Sequence, residues 1–240
     1  MSLTRMEWDA RKRKRVKAPP VGLDGRPVPV FGSNEFDQAR ELILPGDNWL
    51  SIYWFNGNLY VRVYGYYFTH AAECISQTAL VEALAGGVTA TDNERYLNST
   101  VVVTRWKGSS YQQGQALANY SKQFIGWDYD MRGLSWLLGR GLLYVAAPPL
   151  VLAGKLKLAV LARGLAALMN KGNPLDHKQK TICSRVLSMA ARKANEAGLQ
   201  PELPVDKMGA GPGCIAPAHF ANPKLFDWVL IKTGVKAPAR

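Results

Sequence analysis

Residues 69–84 read THAAECISQTALVEAL, two short runs of small and apolar residues separated by a polar Gln-Thr pair. Their length and content predict two short β-strands, joined tightly enough to pair with each other, over residues 69–76 and 79–84. Such pairing places Glu82, on the second strand, near His70 on the first. Glu73 lies three residues beyond His70, so it points to the opposite face of the sheet. The stretch therefore predicts a histidine that is oriented by Glu82.

A cysteine lies at the start of a predicted helix further along the chain. Residues 181–185 read TICSR, and the helical pattern extends over 182–196. Cysteine reacts as the thiolate, which the free N–H groups and the dipole of a helix N-terminus stabilise. Cys183, the second residue of this predicted helix, is therefore a candidate nucleophile. A buried structural thiol is the alternative, because free cysteine packs like a small hydrophobe.

Three histidines could act as the proton carrier for this cysteine. His70 lies among apolar residues in a predicted strand, His177 lies in a polar loop, and His219 follows Pro217-Ala218. A histidine in a strand is more often packed or hydrogen-bonded than catalytic. The carboxylate of Glu82 on the neighbouring strand favours His70, because an acid in that place orients the imidazole.

The composition indicates a folded and strongly basic protein. The 240 residues include 30 Lys and Arg against 18 Asp and Glu, a formal net charge of +12. This excess favours anionic partners such as an acidic cell-wall polymer, lipid headgroups or nucleic acid. No nucleic-acid-reading motif accompanies the charge, so we do not expect sequence-specific nucleic-acid binding. Cys74, Cys183 and Cys214 form no CxxC pair, and we expect no disulfide framework, no metal and no cofactor.

The chain is long enough for one folded domain with extensions. We predict a basic N-terminal arm, a folded domain and a basic C-terminal tail over residues 1–34, 35–222 and 223–240. An apolar helical insertion lies at 140–172, but Leu142–Met169 is too interrupted for a transmembrane helix. Two interpretations of it stay open. We favour a buried helical hairpin or a lid over the site, because leucine is spread around the helix, and the other is a cationic element lying on a membrane.

No apolar run follows the basic arm, so the sequence predicts no secretory signal peptide. We therefore expect a protein of the cytoplasm, or one associated with a virion or injected if a phage encodes it. In that second setting it could be a component of a larger assembly.

Several short motifs follow one another between residues 42 and 220: Pro45-Gly46-Asp47, Thr69-His70, Val81-Glu82-Ala83, Val103-Thr104-Arg105, Gly126-Trp127-Asp128-Tyr129-Asp130, Cys183-Ser184 and Ile215-Ala216-Pro217. In this order they resemble the permuted papain-like hydrolases, the YiiX-like branch of the NlpC-type cell-wall peptidases. The chain departs from that family beside the cysteine, where Ile182 and Arg185 replace an aromatic residue and an acid. The insertion at 140–172 also lengthens the path to Cys183.

The resemblance implies an α+β, papain-like fold of the circularly permuted NlpC type, with an antiparallel sheet packed against helices and the histidine before the cysteine. It also implies a Cys183–His70–Glu82 triad in a thiol hydrolase, a cysteine peptidase or amidase. Its substrate would be an amide bond in a peptide or a peptidoglycan stem, cleaved through an acyl-enzyme. Two alternatives remain: a lipid-directed acyltransferase or thioesterase on the same fold, or a catalytically inactive structural protein of a virion.

Overall fold

The computed structural model describes residues 5–9, 14–18, 22–51, 68, 70–135, 139, 143, 149, 151–169, 179–208 and 215–234. The strands are β1 (Arg5–Asp9), β2 (Lys14–Ala18), β3 (Val30–Phe31), β4 (Asn48–Ser51), β5 (His70–Cys74), β6 (Ala79–Leu84), β7 (Gly87–Asp92), β8 (Val101–Trp106), β9 (Asp128–Tyr129), β10 (Lys180–Thr181) and β11 (Phe226–Lys232). The α-helices are α1 (Phe36–Arg40), α2 (Tyr111–Lys122), α3 (Leu156–Met169) and α4 (Cys183–Glu196).

Among the described residues, seven strands form one sheet in the order β3-β11-β8-β4-β5-β6-β7. Neighbouring strands are antiparallel, except that β3 and β11 pair in parallel. The hairpin predicted from residues 69–84 is present as β5 and β6, with Ala72 opposite Glu82. A mixed α+β fold with a mostly antiparallel sheet and helices is therefore confirmed.

Apolar side chains cover both faces of the sheet, as expected for strands in the middle of a domain. One face packs against α2 and α4, with Leu50, Val81 and Val102 from the strands and Leu117 and Leu187 from the helices. The other face packs against α1 and the 3-10 turn Asn93–Tyr96, with Trp49, Leu80, Val103, Phe36 and Tyr96. Residues alternate between these faces along β5, so Ala71 joins the first cluster and Ala72 the second.

The helix α2 begins after a capping residue, Ser110, and packs against the Pro45-Gly46 turn. The Ser110 hydroxyl accepts a hydrogen bond from the Gln113 N–H, and the Gln113 side chain accepts one from the Ser110 N–H. A Cβ at Gly114 would collide with the Pro45 carbonyl oxygen, and Gly46 has a φ of 85°. Glycine is therefore needed on both sides of this contact.

The Pro45-Gly46-Asp47 motif is joined to the Val103-Thr104-Arg105 motif by an ion pair. Arg105 Nε and Nη2 donate to the two carboxylate oxygens of Asp47, at 2.6 Å and 2.8 Å. Asp47 is buried, and pairing with both oxygens is the arrangement in which a buried carboxylate is best compensated. Two motifs that are far apart in the sequence therefore fix β8 to the turn that leads into β4.

The two ends of the chain differ from the sequence prediction. The predicted tail, residues 223–240, contains β11, which is buried between β3 and β8. The predicted arm, residues 1–34, contains the β1–β2 pair and also β3, which pairs with β11. The apolar character of Phe226–Lys232 is typical of a buried strand, but the strands that flank it are distant in sequence. The sheet therefore extends into both predicted extensions.

The insertion predicted at 140–172 contains α3, but the favoured interpretation as a buried helical hairpin is wrong for the described part of it. Ala159, Ala162 and Ala166 are buried, whereas the leucines of α3 are exposed. Small side chains on the inward side leave room for close contact, and the large apolar side chains point away. No helix in the described part of the chain is long and apolar enough to cross a membrane.

Candidate active site

The structure brings Cys183, His70 and Glu82 together beside the β5–β6 hairpin. His70 is the first residue of β5, Glu82 lies on β6, and Cys183 is the first residue of α4, one position earlier in its helix than predicted. His70 Nε2 lies 2.6 Å from Glu82 Oε2, and the Cys183 thiol is hydrogen-bonded to the His70 ring. The three residues therefore form a continuous chain of contacts from thiol to imidazole to carboxylate.

The contact with Glu82 determines the orientation of the His70 ring. Because Nε2 faces the carboxylate, Nδ1 is the ring nitrogen left for the thiol. A fixed partner on one nitrogen sets the tautomer and the direction of the other nitrogen. Glu82 is completely buried, whereas His70 and Cys183 keep 6% and 7% of their surface exposed. The reactive atoms are therefore placed at the edge of the core and the orienting acid inside it.

Four donors surround the Glu82 carboxylate. Thr91 Oγ1 and Arg95 Nη1 donate to Oε1 at 2.5 Å and 2.9 Å, and Tyr96 Oη donates to Oε2 at 2.5 Å, beside His70. The Tyr96 ring lies nearly parallel to the imidazole, with centroids 6.4 Å apart. Burying a carboxylate is costly unless it is hydrogen-bonded and paired, and here every oxygen has two partners.

Three of the donors, Thr91, Arg95 and Tyr96, were not predicted as site residues. Thr91 lies on β7, which has no large apolar side chains to mark it, and Arg95 and Tyr96 lie in the 3-10 turn that follows. The available signal was Asp92, whose carboxylate caps this turn by accepting from the Glu94 N–H at 2.8 Å. That signal predicts the turn, but it does not show that the turn faces Glu82.

The pKa values of the three groups are shifted in the direction of an ion pair. Burial opposes charge on His70, but the hydrogen bonds and charges of Cys183 and Glu82 outweigh burial and raise its pKa to about 9. Burial also opposes ionisation of Glu82, and yet its bonds from His70, Thr91 and Tyr96 lower its pKa to about 2. The pKa of Cys183 is lowered because His70 outweighs the effect of burial. The site therefore favours a thiolate beside an imidazolium.

Backbone donors add to the stabilisation of the sulfur. The Ala71 and Ser184 N–H groups donate hydrogen bonds that lower the pKa of Cys183. Ser184 belongs to the first turn of α4, where N–H groups have no partner within the helix. The pairing of β5 with β6 ends at Ala72, so the Ala71 N–H is available to the sulfur. The predicted stabilisation by a helix N-terminus is thus accompanied by a strand N–H group.

Two further motifs contact the segment around Cys183. Strand β9, within Gly126–Asp130, pairs with β10, which ends two residues before the cysteine. Burial raises the pKa of Tyr129, as do the negative charges of Cys183 and Asp130, so the phenol stays protonated near the thiol. On the other side, Ser184 Oγ donates to the Ile215 carbonyl at 2.5 Å, which ties the Ile215-Ala216-Pro217 motif to α4.

A cavity of about 400 Å³ opens beside this strand pair. It is lined by Ile125, Gly126, Trp127, Asp128, Gln179 and Lys180. Gln179 adopts a φ of 62°, a left-handed conformation that is uncommon for a residue other than glycine. The chain is therefore held in an unusual conformation between this cavity and the strand that leads to the nucleophile.

The other acid, histidines and cysteine named from the sequence are not shown in contact with Cys183. Glu73 occupies the opposite face from His70, as predicted, among residues that pack against α2 and α4. Its Oε1 has no hydrogen-bond partner in the described part of the chain. His219 Nδ1 accepts from the Ala216 N–H at 2.9 Å within its own turn. His177 and Cys214 lie outside the described residues.

A buried lysine supports the turn that carries Tyr96. Lys232 Nζ, at the end of β11, donates to the Tyr96 and Leu97 carbonyls, both at 2.6 Å. Burial lowers the pKa of Lys232 to about 8. The last strand of the sheet is thus connected through this turn to the acid that orients His70.

The arrangement provides each group that acyl transfer by a thiol needs. Cys183 is a nucleophile with a lowered pKa, His70 can carry a proton, and Glu82 holds the imidazole. No protein-family model matches the chain, and neither does any curated protein.

Proposed function

We propose that the chain is a thiol hydrolase that cleaves an amide bond through Cys183, His70 and Glu82. The observation that carries this proposal is the continuous thiol–imidazole–carboxylate contact at the start of α4. A cysteine that serves packing alone needs neither an imidazole nor N–H donors at its sulfur. A buried acid with four donors is likewise costly to build for packing, since apolar residues would fill the same volume.

Acylation begins with the Cys183 thiolate, which attacks the substrate carbonyl carbon and forms a C–S bond. The His70 imidazolium then gives its proton to the leaving nitrogen, the C–N bond breaks, and an amine departs. Glu82 keeps the imidazole in one tautomer and stabilises its charged form. Backbone N–H groups at the start of α4 would stabilise the oxyanion of the tetrahedral intermediate.

Deacylation reverses these roles. Neutral His70 takes a proton from water, whose oxygen attacks the thioester carbonyl carbon. The C–S bond then breaks, a carboxylic acid is released, and the thiolate–imidazolium pair is restored. The balanced reaction is one amide and one water giving one acid and one amine, with no other reactant.

We propose a papain-like fold of the circularly permuted type for this site. In support, the strands that carry His70 and Glu82 precede the helix that carries Cys183, and that helix packs against β5. The motifs of the resemblance also meet in space, through the Asp47–Arg105 pair, the neighbourhood of Tyr129 and the Ser184–Ile215 bond. The net charge of +12 supports an acidic polymer as the substrate, which favours a peptidoglycan stem or a peptide attached to it.

The test is release of new termini by the purified full chain. Cell-wall sacculi and synthetic stem peptides would be incubated with it, and mass spectrometry would detect new amine and acid ends. Cys183→Ala should abolish release, whereas Cys74→Ala should retain it, because Cys74 packs in the cluster with Trp49 and Leu80. Release by Cys183→Ala at the rate of the unmodified chain would contradict the proposal.

A second measurement does not depend on the substrate. Iodoacetamide at neutral pH should alkylate Cys183 faster than an ordinary thiol, because the pKa of Cys183 is lowered. His70→Ala should slow this alkylation by removing the imidazolium. Failure of Cys183 to react selectively would indicate an inactive site and favour a structural role.

The exposed apolar helix α3 favours a lipid-directed acyltransferase or thioesterase as a second candidate. The same nucleophile would then attack an ester or thioester carbonyl, and an alcohol or thiol would leave in place of the amine. Parallel assays on stem peptides, phospholipids and acyl thioesters distinguish the two, provided that each activity is lost in Cys183→Ala.

A further inference from the structure

In helix α3 the small side chains are buried and the large apolar side chains are exposed. Ala159, Ala162 and Ala166 share one face and are buried. Leu161, Leu165 and Leu168, at spacings of four and three residues, share another face and are 57%, 43% and 61% exposed. A helix that packs on its own protein normally turns its large apolar side chains inwards. The side of α3 that faces away from the chain is therefore built for contact with something apolar.

Other large apolar side chains are exposed elsewhere on α3 and in the residues just before it. Val151, Leu152, Leu156, Leu158 and Val160 are also exposed, with Leu152 at 89%. A cluster of this kind differs from the scattered apolar side chains of ordinary protein surfaces, and it is typical of an interaction surface. We refer to the exposed residues of 151–168 as the α3 surface.

The charge of the α3 surface identifies its partner. Lys155, Lys157 and Arg163 are exposed within it, and Lys157 lies four residues from Leu161, on the same side of the helix. The sequence contains no Asp or Glu between Asp130 and Asp176, while six Lys and Arg fall in that interval. A second copy of this surface would bring like charges together. An anionic partner would instead be attracted to it.

We infer that the α3 surface binds anionic lipid bilayers, with α3 lying in the interface. Its leucines would enter the boundary between headgroups and acyl chains, and its cations would contact lipid phosphates. Helix α3 has 14 residues and is about 21 Å long, which is less than the roughly 30 Å of a hydrocarbon core. A position in the plane of the surface therefore fits its length, and insertion across the membrane does not.

The test is sedimentation of the full chain with vesicles of phosphatidylcholine alone or mixed with phosphatidylglycerol. Binding is expected on the mixed vesicles and should weaken at high salt. Combined substitution Leu161→Gln, Leu165→Gln and Leu168→Gln should reduce binding by about tenfold or more, because the buried apolar area is lost. Combined substitution Lys155→Glu, Lys157→Glu and Arg163→Glu should reduce binding at least as much, since each cation raises the affinity for anionic lipid about fivefold.

A matched charge control separates this surface from general attraction of a basic protein. Lys122→Glu, Lys207→Glu and Lys224→Glu change the same number of exposed cationic residues elsewhere. This control should bind mixed vesicles far better than the variant changed within the α3 surface. Equal losses in both, or unchanged binding when α3 is altered, would overturn the inference.

Two further readouts assign every remaining outcome. Failure of the chain to bind mixed vesicles would overturn the inference, and if the leucine variant then converts a dimer to a monomer, the partner is a second copy. Repeating sedimentation with Cys183→Ala distinguishes this inference from the proposed function. Retained binding without hydrolysis supports the α3 surface alone, and lost binding would show that the association depends on the site instead.

Discussion

At the scale of single residues, Glu82 holds the site through complete use of its hydrogen-bonding capacity. Its two oxygens receive four donors, two each, from His70, Thr91, Arg95 and Tyr96. Rotation of the His70 ring would leave a buried acceptor with one bond fewer, and such a loss costs about 1–3 kcal/mol. The orientation of the imidazole is therefore fixed by the hydrogen bonds that the buried Glu82 requires, as well as by those of His70 itself.

Replacing Glu82 with Gln should move the alkaline limb of activity to lower pH. The pKa of His70 is about 9, above its ordinary 6.5, so the imidazolium needed for leaving-group protonation is lost as the pH rises through about 9. Cys183 and Glu82 both raise this pKa, so removing the carboxylate should lower it in part, with a loss of about 10²-fold in kcat/KM at neutral pH. A pH profile of kcat/KM measures both effects. Glu94→Gln, an exposed acid in the same turn, should keep the original profile.

The buried Glu73 should make folding stability depend on pH. Burial and the nearby Asp47 charge raise its pKa well above 4.5, so the folded chain holds a proton that the unfolded chain releases. Stability should then fall as the pH rises above 4.5, the ordinary pKa of the side chain, until the pKa of Glu73 in the folded chain is passed.

Glu73→Gln should remove this dependence. Urea unfolding at pH 5 and at pH 8 should show a smaller loss of stability in the variant than in the unmodified chain. Glu202→Gln, an exposed acid, serves as the control and should leave the loss unchanged. If Glu73→Gln lost as much stability between pH 5 and pH 8 as the unmodified chain, Glu73 would not be protonated in the folded protein.

At the scale of elements, the contact between α2 and the Pro45-Gly46 turn has no space for a side chain. Gly114→Ala would place a Cβ against the Pro45 carbonyl oxygen, and the resulting strain should cost about 1–3 kcal/mol or more. Thermal unfolding measures the loss. Gly164→Ala is the matched control in α3, where a Cβ meets nothing within 4 Å, and it should be stabilising by up to about 1 kcal/mol. Equal effects of the two would show that the close contact is not needed.

Elements with a local signal could be predicted from the sequence. The hairpin β5–β6, the capped start of α2 and the helix that begins at Cys183 each depend on neighbouring residues, and each is present. Strand β7 was missed because Gly87–Asp92 contains no leucine, isoleucine or aromatic residue, and β11 because its neighbours β3 and β8 come from distant parts of the chain. Pairing between distant segments is set by the whole sheet, which a local pattern does not contain.

The candidate site divides in the same way. His70 and Glu82 could be related through one hairpin, and Cys183 through the chemistry of a helix start. The donors Thr91, Arg95 and Tyr96 could not be assigned, because their direction depends on the register of β7 and on the path of the following turn. The exposed leucines of α3 were also mispredicted, since a helix with apolar residues on several sides reads as buried.

At the scale of the whole molecule, a strand from the first part of the described chain, β3, and one from its last part, β11, meet at one side of the sheet. Val30 of β3 is opposite Ile231 of β11, and β11 also pairs with β8. Buried side chains of β11 include Phe226, Trp228, Leu230 and Ile231. Each contributes about 1.5–3 kcal/mol by burial, and the sum is comparable with a typical total stability of about 5–15 kcal/mol. The strand is therefore essential to the domain.

Truncation should reveal where the folded unit ends. A chain that stops at residue 222 should lose cooperative unfolding, because β8 would lose the strand beside it. A chain that stops at residue 234 keeps β11 and should retain the transition. Circular dichroism during heating measures both. A cooperative transition in the shorter chain would instead place β11 outside the folded unit.

The position of Lys232 has a consequence for the order in which the protein matures. Its ammonium group holds the turn that supplies Tyr96 to Glu82, and β11 can reach this place only after residues 226–232 have been synthesised, well after His70 and Cys183. A ribosome-bound chain can already contain Cys183 and His70 while the support behind Glu82 is incomplete. We therefore expect a nascent chain that has not yet reached β11 to carry an unassembled site, so that the proposed hydrolase becomes competent only after this strand has been made.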